Sequence, residues 1–318
     1  MDEIIRWLME GDPAIRWQVM RDLLDAPKAE WQAERCRIQN EGWGAQFLSN
    51  QSADGVWGGG LYSPKWISST YTLLALVDIG LMPDSRAAMR GAQVALDGLF
   101  GLEADDALYH RTYKYDQCIS GMLVQIASYF GVGAGRVKVM VKSLVENRVP
   151  DGGWNCRIKR KPRPHHSSFH TTISVLEGLR ETVERDVCGQ TKEIVAAETE
   201  AREMLLNHGL FRSHRTGEII DKRWTLLSYP PRWHYDFLRA LNYFCRAGAE
   251  RDPRLQESID LLISRRRPDG RWPVQHKHPA LVYFDMEKTG GASRWNTLRA
   301  LRVLRWWKHG SPAQPKLP

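Results

Sequence analysis

The sequence repeats a tight turn followed by an apolar helix, and this repeat constrains the fold more than any other feature. Three loops share the pattern Asp-Gly-x-Trp, at residues 54–57, 151–154 and 269–272. Asp-Gly favours a tight turn, and the tryptophan beside it can pack its ring across the end of a helix and fix the loop. A recurring unit of this kind is typical of helical repeat architectures.

Six apolar segments begin in a comparable way, and their equivalent positions are Trp17, Thr70, Asp116, His170, Tyr235 and Trp295. Their spacing of roughly 46 to 65 residues fits one helix pair per repeat. More polar segments with helical periodicity alternate with them, at residues 2–10, 29–49, 85–99, 135–147, 192–207 and 253–265. No strand pattern competes with them.

The alternation predicts two concentric layers of helices. We therefore expect an all-α protein, an (α/α)6 toroid with a central cavity, formed by one domain over residues 1–318. An open α-solenoid that binds other proteins is the alternative architecture. Thirteen tryptophans, many of them at predicted helix starts, favour the toroid.

Composition narrows the class of protein. A hydrophobic content of 42% with 26% charged residues is ordinary for a soluble globular chain. Neither a signal segment nor a run of about 18 apolar residues is present, so we expect a cytoplasmic protein without a membrane span. The net charge of +8 is accompanied by no nucleic-acid-binding motif. Five scattered cysteines favour free thiols or metal ligands over a disulfide framework.

Three residues at helix starts could bind a metal ion together. Asp116 and Cys118 lie at the start of one apolar segment, residues 117–129, and His170 lies at the start of the next. A carboxylate, a thiolate and an imidazole are a plausible ligand set for zinc with an open fourth position. The same residue types also fit a helix cap, a buried thiol and a hydrogen-bonded histidine.

This stretch resembles the zinc-binding part of protein prenyltransferase β subunits. The resemblance rests on Asp116-Gln117-Cys118, Gly152-Gly153 and His170-Thr171, which follow in the order that those proteins use. It implies an α/α toroid, Asp116, Cys118 and His170 as zinc ligands, and a separate protein partner. It also implies that Arg111 and Lys114 hold an anionic group of the substrate.

The loop at residues 51–57 is similar to the Gln-Trp repeat of squalene and hopene cyclases, which share the toroid fold. Those cyclases protonate an alkene or epoxide with an Asp-rich motif that this chain lacks. Its only adjacent aspartates, Asp105 and Asp106, are predicted to lie in a loop. Cyclase chemistry by that route is therefore disfavoured.

The first functional hypothesis is a zinc-dependent enzyme in which the metal activates a thiol or water nucleophile. The fourth zinc ligand could be water, Cys156 or His166. The substrate would be a small molecule, isoprenoid or otherwise apolar, or anionic.

Further residues could serve this site. His234 and Asp236, at the next helix start, could act as general acid or base, or as a surface polar residue and a cap. Aromatic side chains could form the wall of a substrate pocket, and the candidates are Trp57, Trp66, Trp154, Tyr235 and Trp295. The alternatives are a metal-free cyclase or isomerase and a non-catalytic toroid that binds a ligand or a protein.

Overall fold

The computed structural model describes residues 2–310, and this part of the chain is predominantly α-helical, as predicted. Residues 1 and 311–318, which the predicted domain 1–318 includes, lie outside it. The helices are α1 (Glu3–Met9), α2 (Pro13–Asp22), α3 (Lys28–Cys36), α4 (Gly42–Leu48), α5 (Ser69–Ile79), α6 (Arg86–Phe100), α7 (Asp106–Lys114), α8 (Gln117–Tyr129), α9 (Ala134–Glu146), α10 (Phe169–Glu184), α11 (Lys192–Asn207), α12 (Phe237–Arg246), α13 (Gln256–Ser264) and α14 (Arg294–His309).

Small elements complete the fold. Short 3₁₀ turns occur at Arg37–Gln39, Lys222–Thr225 and Pro253–Leu255. Two strands, β1 (Trp272–Pro273) and β2 (Ala292–Ser293), pair antiparallel just before α14. This pairing is an addition to the predicted all-helical pattern and is too short to leave a periodic signal in the sequence.

The prediction that Asp105 and Asp106 lie in a loop is correct for Asp105 and wrong for Asp106, which is the first residue of α7. Asp105 is the N-cap of α7, and its carboxylate accepts a hydrogen bond from the Leu108 backbone N–H at 2.9 Å. An aspartate in this position satisfies a free amide of the first turn. Asp106 then occupies the first helical position, where a negative charge is favourable.

The three Asp-Gly-x-Trp loops use the same contacts. The indole Nε1 of each tryptophan donates to a carbonyl ten residues earlier in the chain: Trp57 to Phe47 at 2.7 Å, Trp154 to Leu144 at 2.8 Å and Trp272 to Leu262 at 2.7 Å. The backbone N–H of each tryptophan donates to a hydroxyl near the start of the following helix, on Ser69, Thr172 and Thr297 respectively. Each loop therefore joins the end of one helix to the start of the next.

Six helices contact one another in a closed order. Neighbouring pairs are α5 with α8, α8 with α10, α10 with α12, α12 with α14, and α14 with α2. Between α2 and α5, the indole of Trp17 donates to the Ile79 carbonyl at 2.9 Å and the Gln18 amide donates to the Asp78 carbonyl at 3.3 Å. Every other α-helix of residues 2–310 packs against at least one of these six.

The closest helix pair is α8 with α10. A Cβ added to Gly178 would lie 2.4 Å from the carbonyl oxygen of Gly121, so the two backbones meet where both residues lack a side chain. All residues of α8 are buried, which explains why its sequence is largely apolar. No helix within residues 2–310 has the length and apolar character needed to cross a membrane.

Candidate functional site

Asp116 and Cys118 lie at the start of α8, as predicted. The Asp116 carboxylate makes no capping hydrogen bond, is half exposed, and lies 3.7 Å from Nζ of Lys159. The Sγ atoms of Cys118 and Cys156 are 3.2 Å apart, and the backbone N–H of Cys118 donates to Cys156 Sγ at 3.4 Å. Hydrogen bonding with Cys118 lowers the pKa of Cys156 to about 7, and the same contact together with burial raises the pKa of Cys118.

His170 is the second residue of α10 and is held by other groups. Its Nδ1 accepts a hydrogen bond from the Tyr235 backbone N–H at 2.8 Å. Its ring packs edge-on against Trp224, Trp233 and His234, at centroid distances of 5.6, 5.1 and 5.7 Å. Burial lowers the pKa of His170 to about 4, so the imidazole is neutral near pH 7.

The three predicted zinc ligands are not grouped around one point in this structure. Within residues 2–310, no three His, Cys, Asp or Glu side chains are grouped so that they could hold one metal ion. Asp116, Cys118 and His170 are therefore not assembled into a ligand set, and of the other candidates only Cys156 touches one of them. His166 is highly exposed and lies 3.8 Å from the Asp151 carboxylate.

The predicted anion-binding pair, Arg111 and Lys114, lies in the last turn of α7. Arg111 donates to the Phe100 carbonyl at 2.5 Å and so satisfies the last turn of α6. Lys114 is exposed, and its Nζ lies 5.9 Å from the ring centroid of Tyr113.

His234 and Asp236 have separate surroundings. The His234 ring is stacked between Trp233 and His278, at centroid distances of 3.9 and 3.7 Å. Burial, followed by the neighbouring His278, lowers the pKa of His234 to about 2, which leaves it neutral. Asp236 is buried, caps α12 by accepting from the Arg239 N–H at 2.7 Å, and accepts a hydrogen bond from Ser228. Of the two predicted roles for Asp236, general acid or base and helix cap, the structure shows the helix cap.

The aromatic residues that were predicted to form the wall of one pocket lie in different parts of the structure. Trp57 and Trp154 are completely buried in their loops, and Tyr235 is buried with its hydroxyl donating to the Leu210 carbonyl at 2.6 Å. Trp66 packs edge-on against Tyr71 near the helix starts, with ring centroids 4.8 Å apart. Trp295 is the one member of the predicted set that borders a cavity between the six helices of the closed contact order.

That cavity of about 160 Å³ is bordered by all six helices of the closed contact order and by residues 230–232. Its lining is charged and mostly basic. Three carboxylates, on Asp78, Glu177 and Glu181, face eight arginines: Arg21, Arg35, Arg185, Arg232, Arg239, Arg246, Arg299 and Arg302.

Most of these charges are paired. Arg239 binds Glu177 through two hydrogen bonds of 3.0 and 2.6 Å, and Arg246 binds Glu181 at 2.5 Å. Arg302 binds Asp22 at 2.6 Å, and the Asp22 pKa is lowered by Arg21 and Arg302 despite burial. Such two-point contacts fix the guanidinium groups in position.

Arg232 and Arg299 are held by few hydrogen bonds. Nη1 of Arg232 is buried and has no hydrogen-bond partner among residues 2–310, and its guanidinium carbon lies 5.7 Å from the Trp66 ring centroid. Burial lowers the pKa of Arg232 to about 10, so the group remains charged near neutral pH. Arg299 makes one long hydrogen bond, of 3.4 Å, to Asn296. Both could bind an anion in the cavity.

Asp78, on α5, is the carboxylate of this cavity that is left without a partner. No hydrogen bond or ion pair to its side chain occurs within residues 2–310. The Asp78 side chain is accessible to water inside the cavity, but the surrounding protein separates it from bulk solvent. This burial, reinforced by Glu177, raises the pKa of Asp78 to about 6 although Arg239 and Arg299 oppose the shift.

The sequence analysis missed these residues. Asp78 interrupts the apolar run Leu73–Ile79, and Glu177 interrupts the run Ile173–Leu179. An acidic residue inside an apolar helix was the available signal, because such a side chain needs a partner or a cavity.

Fold and site together define a helical protein with a basic central cavity that contains one unpaired acid. No protein-family model matches this chain, and no curated protein matches it in sequence.

Proposed function

We propose that α2, α5, α8, α10, α12 and α14 form the inner ring of a single-domain (α/α)6 toroid. The closed order of contacts among these six helices supports this, as does the cavity that all six border. The three loops with equivalent tryptophan hydrogen bonds support a common repeat unit.

We further propose that the protein is an enzyme that binds a small anionic substrate in this cavity. The observation that carries the proposal is Arg232, whose buried Nη1 has no hydrogen-bond partner within residues 2–310 and whose side chain borders the same cavity as an unpaired carboxylic acid. A carboxylate or phosphate group would accept the free donors of Arg232 and Arg299 and offset their charge.

Asp78 would act as the general acid. A carboxyl group with a pKa of about 6 is protonated in part at neutral pH and can give its proton to an oxygen or a forming carbanion of the bound substrate. Arg239 and Arg299 would then stabilise the resulting carboxylate. This chemistry corresponds to an isomerase or lyase class of reaction.

The size and charge of the cavity limit the substrate. Drug-sized ligands occupy pockets of about 300–1,000 Å³, and this cavity of about 160 Å³ is smaller. The charged lining also makes a long isoprenoid chain unfavourable, because apolar groups would displace water from guanidinium and carboxylate groups without replacing its hydrogen bonds. A compact mono- or dicarboxylate, or a small phosphate ester, fits these conditions better.

The test is anion binding by calorimetry, with inorganic phosphate and succinate as probes. Wild type is expected to bind at least one probe, and Arg232→Gln and Arg299→Gln should each weaken binding at least about tenfold, the loss of a charged hydrogen bond. Arg212→Gln is the matched control, because Arg212 forms a surface pair with Glu257 at 2.5 Å. Equal loss in the control, or no binding of either probe at millimolar concentration, would contradict the proposal.

Zinc dependence remains a prediction, and the paired thiols of Cys118 and Cys156 beside Asp116 are the observation in its favour. Metal analysis after zinc-supplemented expression tests it: less than about a tenth of an equivalent would reject it. If zinc is bound, Cys118→Ser and His170→Ala should lose it, since a serine hydroxyl is a poor zinc ligand. Retention in Cys156→Ser and His166→Ala would indicate the open three-ligand site.

A further inference from the structure

We propose that Cys118 and Cys156 are a modification site at which a reversible disulfide forms by exchange with a small anionic disulfide such as glutathione disulfide. The inference concerns a different part of the molecule from the central cavity and does not rest on the proposed enzymatic function. Neither cysteine borders that cavity.

The geometry favours bond formation. The two Sγ atoms are 3.2 Å apart, and a disulfide requires about 2.05 Å, so a small rotation of one side chain closes the gap. Cys118 is held in the first turn of the fully buried α8. The loop that carries Cys156 is fixed just before it, where the Trp154 ring and backbone donate to Leu144 and Thr172.

The pair is also specific. All five cysteines are free thiols, and Cys118 and Cys156 are the only two whose sulfurs are in contact among the residues that the structure describes. Cys245 Sγ instead lies 3.8 Å from the Arg302 carbonyl. A single local pair of this kind requires no disulfide framework.

Exposure and charge indicate the order of the exchange. Cys156 is partly exposed and Cys118 is buried, so Cys156 meets the oxidant first. The segment that follows Cys156, residues 157–163, contains Arg157, Lys159 and further basic residues. This positive charge attracts the carboxylates of glutathione disulfide.

The reaction balances without another co-reactant. The Cys156 thiolate attacks one sulfur of glutathione disulfide, the sulfur–sulfur bond breaks, and one glutathione leaves as its thiolate. Cys118 then loses its proton to solvent, its sulfur attacks Sγ of Cys156, and the second glutathione leaves. In total, two protein thiols are oxidised and one glutathione disulfide is reduced to two glutathione molecules.

The experiment counts free thiols in the purified full chain after equilibration with an equimolar mixture of glutathione and glutathione disulfide. Alkylation under denaturing conditions and intact mass measurement should show two fewer modified cysteines than in fully reduced protein. Peptide mapping should find residues 118 and 156 joined. Full alkylation of every cysteine at this redox poise, or a cross-link that includes Cys36, Cys188 or Cys245, would overturn the proposal.

Three variants test the role of each cysteine in the exchange. Cys118→Ser should stop the reaction at the mixed disulfide and leave one glutathionyl group on Cys156, whereas Cys156→Ser should take up none at position 118. Cys188→Ser is the control and should still lose two thiols. Glutathione equally distributed over the remaining cysteines of Cys118→Ser would also contradict the site, and helicity by circular dichroism checks that each variant is folded.

Discussion

Replacing Asp78 by Asn should make the protein more stable at high pH and leave its stability nearly unchanged at low pH. The pKa of Asp78 rises from its usual 3.8 to about 6 on folding. Folding therefore favours the protonated form, and ionisation of this group destabilises the native state. The penalty is absent below about pH 3.8, grows as pH rises through the interval between the two pKa values, and is complete above about pH 6.

The size of the effect follows from the shift. Each pKa unit corresponds to 1.36 kcal/mol, so the shift from 3.8 to about 6 corresponds to about 3 kcal/mol without solvent screening. The exposed surface of Asp78 borders a cavity that admits water. Water there screens the charge, and about half of that figure, roughly 1.5 kcal/mol at pH 8, is the expected gain. At pH 4 the same calculation leaves a few tenths of a kcal/mol.

Urea unfolding of wild type and variant at pH 4, 6 and 8 provides the assay. With a slope of about 3 kcal/mol/M, the gain at pH 8 moves the midpoint upward by roughly 0.5 M. Glu177→Gln is the contrasting control, because it removes the partner of Arg239 and should destabilise the protein by about 3 kcal/mol. A pH-independent difference for Asp78→Asn, or a loss of stability at pH 8, would refute the assignment of a raised pKa.

The other predictions concern packing. Gly178→Ala should cost about 2 kcal/mol, since its Cβ would meet the Gly121 carbonyl oxygen at 2.4 Å. Gly135→Ala, in α9, should instead stabilise the protein by about 0.5–1 kcal/mol, because its Cβ would have no contact closer than 3.9 Å. If urea unfolding showed that both glycine substitutions change the free energy of unfolding in the same direction, these two predictions would be contradicted. Trp154→Phe should lose about 1 kcal/mol with the hydrogen bond to Leu144, measured in the same way. Thermal unfolding followed by circular dichroism should show one transition, and two separated transitions would contradict a single domain.

The bounds of two helices were predicted correctly from the sequence. The predicted segments 117–129 and 192–207 coincide with α8 and α11. A helix surrounded by protein has a continuous apolar sequence, and a half-buried one shows a clear 3.6-residue period. By contrast, α7 was missed because only Leu108 and Thr112 of its nine residues are buried, which leaves no periodic apolar signal.

The cavity could not be predicted, although its residues have helical spacing. Along α12, Arg239, Asn242 and Arg246 recur at i, i+3 and i+7, so they share one face. A polar face of this kind has the same pattern whether it borders bulk solvent or an internal cavity. Packing between helices determines which arginine pairs with a carboxylate, as Arg239 does with Glu177. The spacing of residues in the sequence does not contain this information.

The charge balance of the cavity predicts that a bound anion also stabilises the folded protein. Eight arginines face three lining carboxylates, and the excess positive charge lies where the protein screens it less than water would. A bound anion would relieve this repulsion, and a ligand that binds only the native state stabilises it by mass action. Inorganic phosphate should therefore raise the unfolding midpoint more than chloride at equal ionic strength, since screening alone does not distinguish the two salts. Arg232→Gln should remove most of that difference, because it deletes the guanidinium whose Nη1 has no partner within residues 2–310. An undiminished phosphate effect in this variant would locate the stabilising anion elsewhere on the protein.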